Sequence, residues 1–199
     1  MPADGPIDES DIVAIGADLE PGTLLAAYRA GLFPMPFYRR RIAWFSPDPR
    51  GIIPLEGLHV SRTLRRSVQR YDVTMNTNFR AVMEGCADPS RSGGWINKAF
   101  IDAYTDLHGL GWAHSIEVVA DDELVGGVYG VRIGSFFAGE SMFHRSTDAS
   151  KVALVHLVDW LNDTRATLFD VQWTTPHLES LGAISIPRAE YLEQLSAAI

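Results

Sequence analysis

The spacing of apolar and polar positions along this 199-residue chain changes period many times, and each change marks an element. Residues 1–20 are acidic and read as loop. PGTLLAAYRAG (21–31) fits a short helix, with Pro21 in its first turn and Gly31 as its stop. FPMPF (33–37) reads as a twofold break in the chain, because each proline removes a backbone donor. IAWF (42–45) reads as a strand and SPDPRG (46–51) as a turn-rich connector. SRTLRRSVQR (61–70) is helix-like, YDVTMN (71–76) strand-like, and FRAVMEGCA (79–87) helical again. DPSRSGG (88–94) reads as a loop before NKAFIDAYTDLHGLG (97–111), a helix ending at glycine.

The centre is rich in strand formers. AHSIEVVA (113–120) and ELVGGVYGV (123–131) flank Asp121-Asp122, which predicts a hairpin turn, and IGSFFAGESMF (133–143) follows as a third strand. HRSTDASKVALVHLVDWLN (144–162) starts with several capping residues and continues as a helix apolar nearly all round, the mark of a helix buried against a sheet. TLFDVQW (167–173) reads as a strand, HLESLG (177–182) as a short helix, AISI (183–186) as a strand and PRAEYLEQL (187–195) as a final helix.

This order predicts an α/β protein with a mixed sheet covered by helices. A soft boundary near residue 47 divides it into a small N-terminal α/β domain, 1–47, and a larger domain, 48–199. In the larger part a central strand leads through a loop into a helix, then a strand, then a short helix ending in Leu181-Gly182. That succession resembles the acetyltransferase-like (GNAT) fold, an analogy of fold that does not fix the chemistry.

Composition adds little: 46% apolar and 21% charged residues are ordinary for a globular protein. A single cysteine, Cys86, excludes an internal disulfide and makes a cytoplasmic protein the expectation. No apolar run approaches the roughly 20 residues that span a bilayer, and the acidic N-terminus is not a secretory signal. Charge changes the picture more. The chain is −8 overall, yet residues 29–70 hold nine arginines against two acids, leaving about −15 on the rest. Such asymmetry fits contact with a polyanion on one face, or an arginine-rich solvated surface.

Two stretches raise chemical questions. Glu140 lies in FFAGESMF (136–143), among apolar neighbours, where a buried carboxylate needs a partner. Asp170 and Gln172 alternate with Val171, so in a strand they share one face, which is either a pocket mouth or solvent. Other signals are bland. The histidines lack metal-ligand spacing, no G-x-S-x-G elbow exists, and HRSTDASK (144–151) has no glycine with which to cradle a coenzyme A pyrophosphate. Cys86 reads as a packing residue, His177 as a helix-start residue, and Trp95 as a core plug or a stacking platform for a base.

Taken together, AYRAGLFP (27–34), WFSPDPRG (44–51), LHVSRTLRR (58–66), VTMN (73–76), EGCAD (84–88), GWI (94–96), AHSIEV (113–118), ELVGGVYGV, FFAGESMF, ASKVAL (149–154), DVQ (170–172) and SLGA (180–183) resemble the leucyl/phenylalanyl-tRNA–protein transferase family. The match is collinear over most of the chain. The resemblance implies a cytoplasmic aminoacyltransferase that moves leucine or phenylalanine from charged tRNA to proteins beginning with Arg or Lys, marking them for N-degron proteolysis. It implies no metal, coenzyme or membrane, and a monomer is expected. By motif, Glu140, Asp170 and Gln172 correspond to the catalytic residues. Tyr28, Met35 and Trp95 correspond to the site of the terminal adenosine, with Met35 standing where the family has tryptophan. Val128, Phe137 and Met142 correspond to the pocket for the donor side chain, Val128 replacing the usual methionine. Arg62, Arg65 and Arg66 are expected on the tRNA backbone.

On this reading the enzyme mainly orients two substrates for a reaction that is already downhill. Gln172 accepts a hydrogen bond from the attacking amine. Asp170 holds Gln172 and stabilises growing positive charge, with proton removal through a water as the competing version. Glu140 meets a cationic amine. Two rivals stand beside it: an acyl-coenzyme A N-acyltransferase on the same fold, and a tRNA-binding module without activity.

Overall fold

The computed structural model describes residues 9–90 and 94–199. Its elements are β1 (Ile12–Ile15), α1 (Pro21–Arg29), β2 (Phe33–Phe37), β3 (Arg41–Phe45), β4 (Arg50–Ile52), α2 (Arg62–Val68), β5 (Asp72–Met75), α3 (Phe79–Cys86), α4 (Lys98–Gly109), β6 (Ala113–Ala120), β7 (Glu123–Ile133), β8 (Phe136–His144), α5 (Ala149–Asp163), β9 (Leu168–Gln172), α6 (Pro176–Ser180), β10 (Ile184–Ile186) and α7 (Arg188–Ala198).

Two sheets result. The small one is antiparallel, in the order β1-β3-β2. The large one runs β10-β4-β9-β8-β7-β6-β5 and is antiparallel except between β8 and β9. The mixed α/β class expected from the pattern is the class observed, with a small three-stranded unit at the N-terminal side.

Three segments differ from expectation. FPMPF is a strand, not a pair of breaks. β2 lies on the edge of its sheet and pairs only with β3, and alternate prolines on such a strand turn their missing donors away from the partner. Residues 12–15, expected as loop, form β1 against β3. The end of the SPDPRG connector is β4, three residues inserted between β9 and β10. A three-residue strand carries too short a pattern to announce itself; its neighbours define it. The loop expected at 88–94 lies partly outside the described residues.

The other elements follow their local signals. Asp121 and Asp122 both have positive φ (52° and 63°), as a two-residue hairpin turn between right-twisted strands requires. Asn97 caps α4 by accepting from the amides of Ala99 and Phe100, and Ser61 caps α2 through Leu64. α5 packs on β6, β7 and β8, as its nearly continuous apolar surface demands.

The large sheet separates two buried clusters. One holds α1, the small sheet, α3, α4 and α7, with Tyr28, Phe33, Tyr104, Tyr129 and Tyr191. The other lies under α5 and α6, with Val128, Phe137, Met142, Phe169 and Val171.

A buried carboxylate at the parting of two strands

β7 and β8 pair in register from both ends, but the register shifts between Tyr129↔Ser141 and Gly130↔Gly139. Glu140 is the extra residue of this bulge. A bulge re-aims a side chain and reverses the alternation beyond it. The reversal is visible here: Phe136 and Ala138 belong to the α4 side and Phe137 to the α5 side, whereas Met142 lies on the α5 side and Phe143 on the α4 side. The bulge needs a glycine opposite, since a β-carbon on Gly130 would lie 2.2 Å from the carbonyl oxygen of Ala138.

Glu140 is 3% exposed. Its Oε2 accepts a hydrogen bond from the Tyr104 hydroxyl at 3.4 Å, and the Tyr104 hydroxyl is itself hydrogen-bonded to that of Tyr28. Its Oε1 is buried with no hydrogen-bond partner among the described residues. Burial pushes the pKa up to about 7; the neighbouring Tyr28 hydroxyl and the charge of Arg50 oppose the rise, and the charge of Asp170 adds to it. Both tyrosines are pushed well above their ordinary values, first by burial and then by the Glu140 charge.

A second glutamate in an apolar strand, Glu117 on β6, is satisfied in full. It accepts from the hydroxyls of Thr74 (2.8 Å), Thr77 (3.0 Å) and Ser115, and from the amides of Thr77 and Asn78. It ties down the turn between β5 and α3.

β8 and β9 are parallel partners from Phe136↔Leu168 to Ala138↔Asp170, and the recorded pairing stops there. Glu140 and Gln172 each stand two residues beyond the last pair, so they flank the point at which the two strands part. Gln172 is 3% exposed and left-handed, with φ of 64°, an uncommon conformation for a residue with a side chain.

Asp170 is completely buried and faces a guanidinium. Arg50 Nε donates to Oδ1 at 2.8 Å and Nη2 to Oδ2 at 2.6 Å, a two-pronged pair. The Tyr191 hydroxyl donates to Oδ2 at 3.1 Å and the backbone amide of Gln172 to Oδ1 at 2.9 Å. Asp170 therefore holds Gln172 through its backbone amide. Arg50, counted with the basic window for polyanion contact, is wholly buried and unavailable for it. Arg50, Tyr104 and Tyr191 are the residues that sequence reasoning missed. An arginine in a turn-rich connector and two tyrosines at helical spacing carry no signal that distinguishes them.

The remaining candidates divide. Trp95 is half-buried and meets Phe100 edge-on at 5.3 Å, and Phe100 stacks over Tyr104 at 6.3 Å, so an aromatic run leads from the surface to Glu140. Tyr28 and Met35 are buried, at 1% and 3% exposure, so of the three adenosine candidates Trp95 alone presents a face. Val128 pairs across the strands with Met142, and both pack with Phe137 in the cluster under α5, on the other face from Tyr104. Arg62, Arg65 and Arg66 are exposed on α2, with no ion pair among the described residues. His177 is exposed in the first turn of α6, and burial of part of its ring lowers its pKa. Cys86 is buried, as a packing residue would be. Among the described residues no group of three or more His, Cys, Asp or Glu side chains could hold a metal ion, and no helix is long and apolar enough to cross a membrane.

Comparison with known proteins adds the following. Residues 52–196 match the family model described as leucyl/phenylalanyl-tRNA protein transferase, and residues 17–48 match that of the N-terminal domain of the same enzyme. A leucyl/phenylalanyl-tRNA–protein transferase from Cereibacter sphaeroides is 52% identical over 185 residues, covering 91% of this chain and 86% of its own. One from Tolumonas auensis is 45% identical over 199 residues, covering 98% and 85%. Among solved structures, a GCN5-related N-acetyltransferase from Kribbella flavida aligns with 83% of this chain and 60% of its own at 10% identity and a TM-score of 0.45. L-PGS from Bacillus licheniformis aligns with 81% and 54% at 12% identity and a TM-score of 0.43.

Proposed function

The chain belongs to the leucyl/phenylalanyl-tRNA–protein transferase family, and on that premise we propose that it moves leucine or phenylalanine from the 3′ end of charged tRNA to the N-terminal amine of proteins beginning with Arg or Lys. The product carries a new peptide bond and an N-terminus marked for proteolysis. The division into residues 1–47 and 48–199 and a cytoplasmic location belong to the same reading. The two matched family models, ending at residue 48 and beginning at residue 52, support the division.

The observation that carries the reading is Glu140: a wholly buried carboxylate, with one oxygen still unpartnered among the described residues, beside the parting of β8 and β9. A cationic amine satisfies such a group. The attacking α-amine has an ordinary pKa of about 7.7–8.0, so a useful fraction is neutral near pH 7 without a strong base. Glu140 attracts that amine, or the α-ammonium of the donor. Gln172 orients it by accepting one of its protons in a hydrogen bond. Electrostatic support for developing positive charge comes from Glu140, which has no ion-pair partner among the described residues. Asp170 stands behind Gln172, and proton removal by Asp170 is the weaker version, because its four acceptor positions are already filled.

Phe137, Met142 and Val128, packed under α5 on the opposite face of the sheet from the Tyr104–Glu140 contact, receive the donor side chain, so the donor must reach both faces where β8 and β9 part. Trp95, with its open face, takes the terminal adenine by stacking. The exposed arginines of α2 track the acceptor stem. The test is transfer of radiolabelled leucine from charged tRNA to a peptide beginning with Arg and to one beginning with Met. Transfer to the Arg peptide alone supports donor, acceptor and reaction together; transfer to neither overturns the reading.

A further inference from the structure

Arg50 is the largest fully buried side chain among the described residues, and every polar atom of its guanidinium is engaged. Nε and Nη2 grip Asp170, Nη1 donates to the carbonyl of Gly31 at 3.0 Å, and Nη2 also reaches the Tyr191 hydroxyl at 3.3 Å. The faces of the guanidinium lie 4.9 Å from the centre of the Phe33 ring and 4.3 Å from that of Tyr191. One side chain thus joins the α1–β2 turn, β4, β9 and α7. Burying it is costly unless it serves the group it holds.

That group is Asp170, whose four acceptor positions are filled by two guanidinium donors, one hydroxyl and one backbone amide. The amide is that of Gln172, the left-handed residue at the parting of the strands. Gly51 completes the device. It pairs with Gln172, and a β-carbon there would lie 2.8 Å from the Trp173 carbonyl carbon, so β4 can press close to the end of β9 only at a glycine.

We propose that Arg50 is a positioning residue for the transfer reaction: by saturating Asp170 it turns that carboxylate into a fixed acceptor for the Gln172 amide, and so holds Gln172 left-handed beside Glu140. This rests on the functional reading above for its catalytic consequence, though not for its structural one. Glu140 on β8 and Tyr191 on α7 are the other titratable groups facing the pair.

The test uses the full chain and three variants, Arg50→Met, Arg50→Lys, and Arg50→Met combined with Asp170→Asn. Amide hydrogen exchange at Gln172 is read first, without substrate. It is expected to rise about 100-fold in Arg50→Met while the amides of α5 stay protected. Unchanged protection at Gln172 overturns the proposal, and this arm fails independently of whether the protein transfers amino acids at all. In the transfer assay, Arg50→Met is expected to lose about 100-fold in kcat, with KM for charged tRNA and for peptide unchanged within about threefold. The double variant should regain about tenfold, since asparagine keeps a carbonyl oxygen for the Gln172 amide without a buried, unpaired charge. A rise in tRNA KM alone would place the effect of Arg50 on donor binding and not on the reaction step. A double variant no better than Arg50→Met would make the Asp170 carboxylate itself the required group. Either result overturns the proposal. If Arg50→Met does not fold, Arg50→Lys, which keeps the charge and loses the two-pronged grip, carries the exchange and kinetic readings.

Discussion

The carboxylate of Glu140 accepts a hydrogen bond from Tyr104 on one oxygen, while its other oxygen is buried with no partner among the described residues. A half-satisfied buried acid costs stability in the free protein. In the proposed reaction a cationic amine recovers this cost, which would make Glu140 the point at which fold and reaction meet.

Glu140→Gln should leave the fold intact and lower transfer by roughly 100-fold, because the amide keeps the shape and removes the charge. Circular dichroism and the leucine-transfer assay check the two halves of this expectation. Full transfer by the variant would remove Glu140 from the mechanism.

The pH dependence of stability follows from the same residue. Its folded pKa, about 7, lies above the ordinary value of 4.5. The folded state therefore holds a proton that the unfolded state has released between those values, so stability from Glu140 is full below about pH 4.5 and declines as pH rises toward 7 and above. The loss is on the order of 3 kcal/mol at most. Urea denaturation from pH 5 to pH 8 should show this decline in the wild type and a flatter profile in Glu140→Gln; equal slopes would contradict it.

Gly130→Ala should destabilise the protein by roughly 2–4 kcal/mol, because the new methyl group must displace both the Ala138 carbonyl and the Phe137 ring. Transfer should fall with it, since the bulge aims Glu140. A melting temperature within a degree of the wild type would show that the bulge tolerates a side chain.

Replacing Arg62, Arg65 and Arg66 together by Glu should raise the KM for charged tRNA at low salt, and the dependence of KM on salt should become shallower. Thermal stability should hardly change, as all three are exposed. An unmoved donor KM at low salt would place the tRNA on another face.

Trp95→Ala should weaken charged tRNA by about tenfold, the loss of one stacked base, while Trp95→Phe retains most of the affinity. Equal affinity in both variants would leave the adenine elsewhere.

What the sequence determined by itself was set by local physics. Periodicity placed α5 against a sheet, Asp121-Asp122 in a tight turn and Asn97 at a helix start, since each depends on residues near in the chain. Collinear motifs gave the family. What it left undecided depended on distant residues. Ile12–Ile15 and Arg50–Ile52 are strands because β3 and β9 accept them as neighbours, and FPMPF is one because it falls at an edge. HSIEV and GESMF each set a glutamate in an apolar strand, and nothing local separates them. The tertiary structure does. Glu117 meets three hydroxyls and two amides and is consumed by the β5–α3 turn, whereas a one-residue bulge turns Glu140 toward two tyrosines and leaves one oxygen without a partner among the described residues. Likewise Arg50 reads as surface charge until β4 carries it, 120 residues from Asp170 in sequence, into the core. Bulges, strand partings and long-range ion pairs are set by which backbones meet, and that is decided only when the chain has folded.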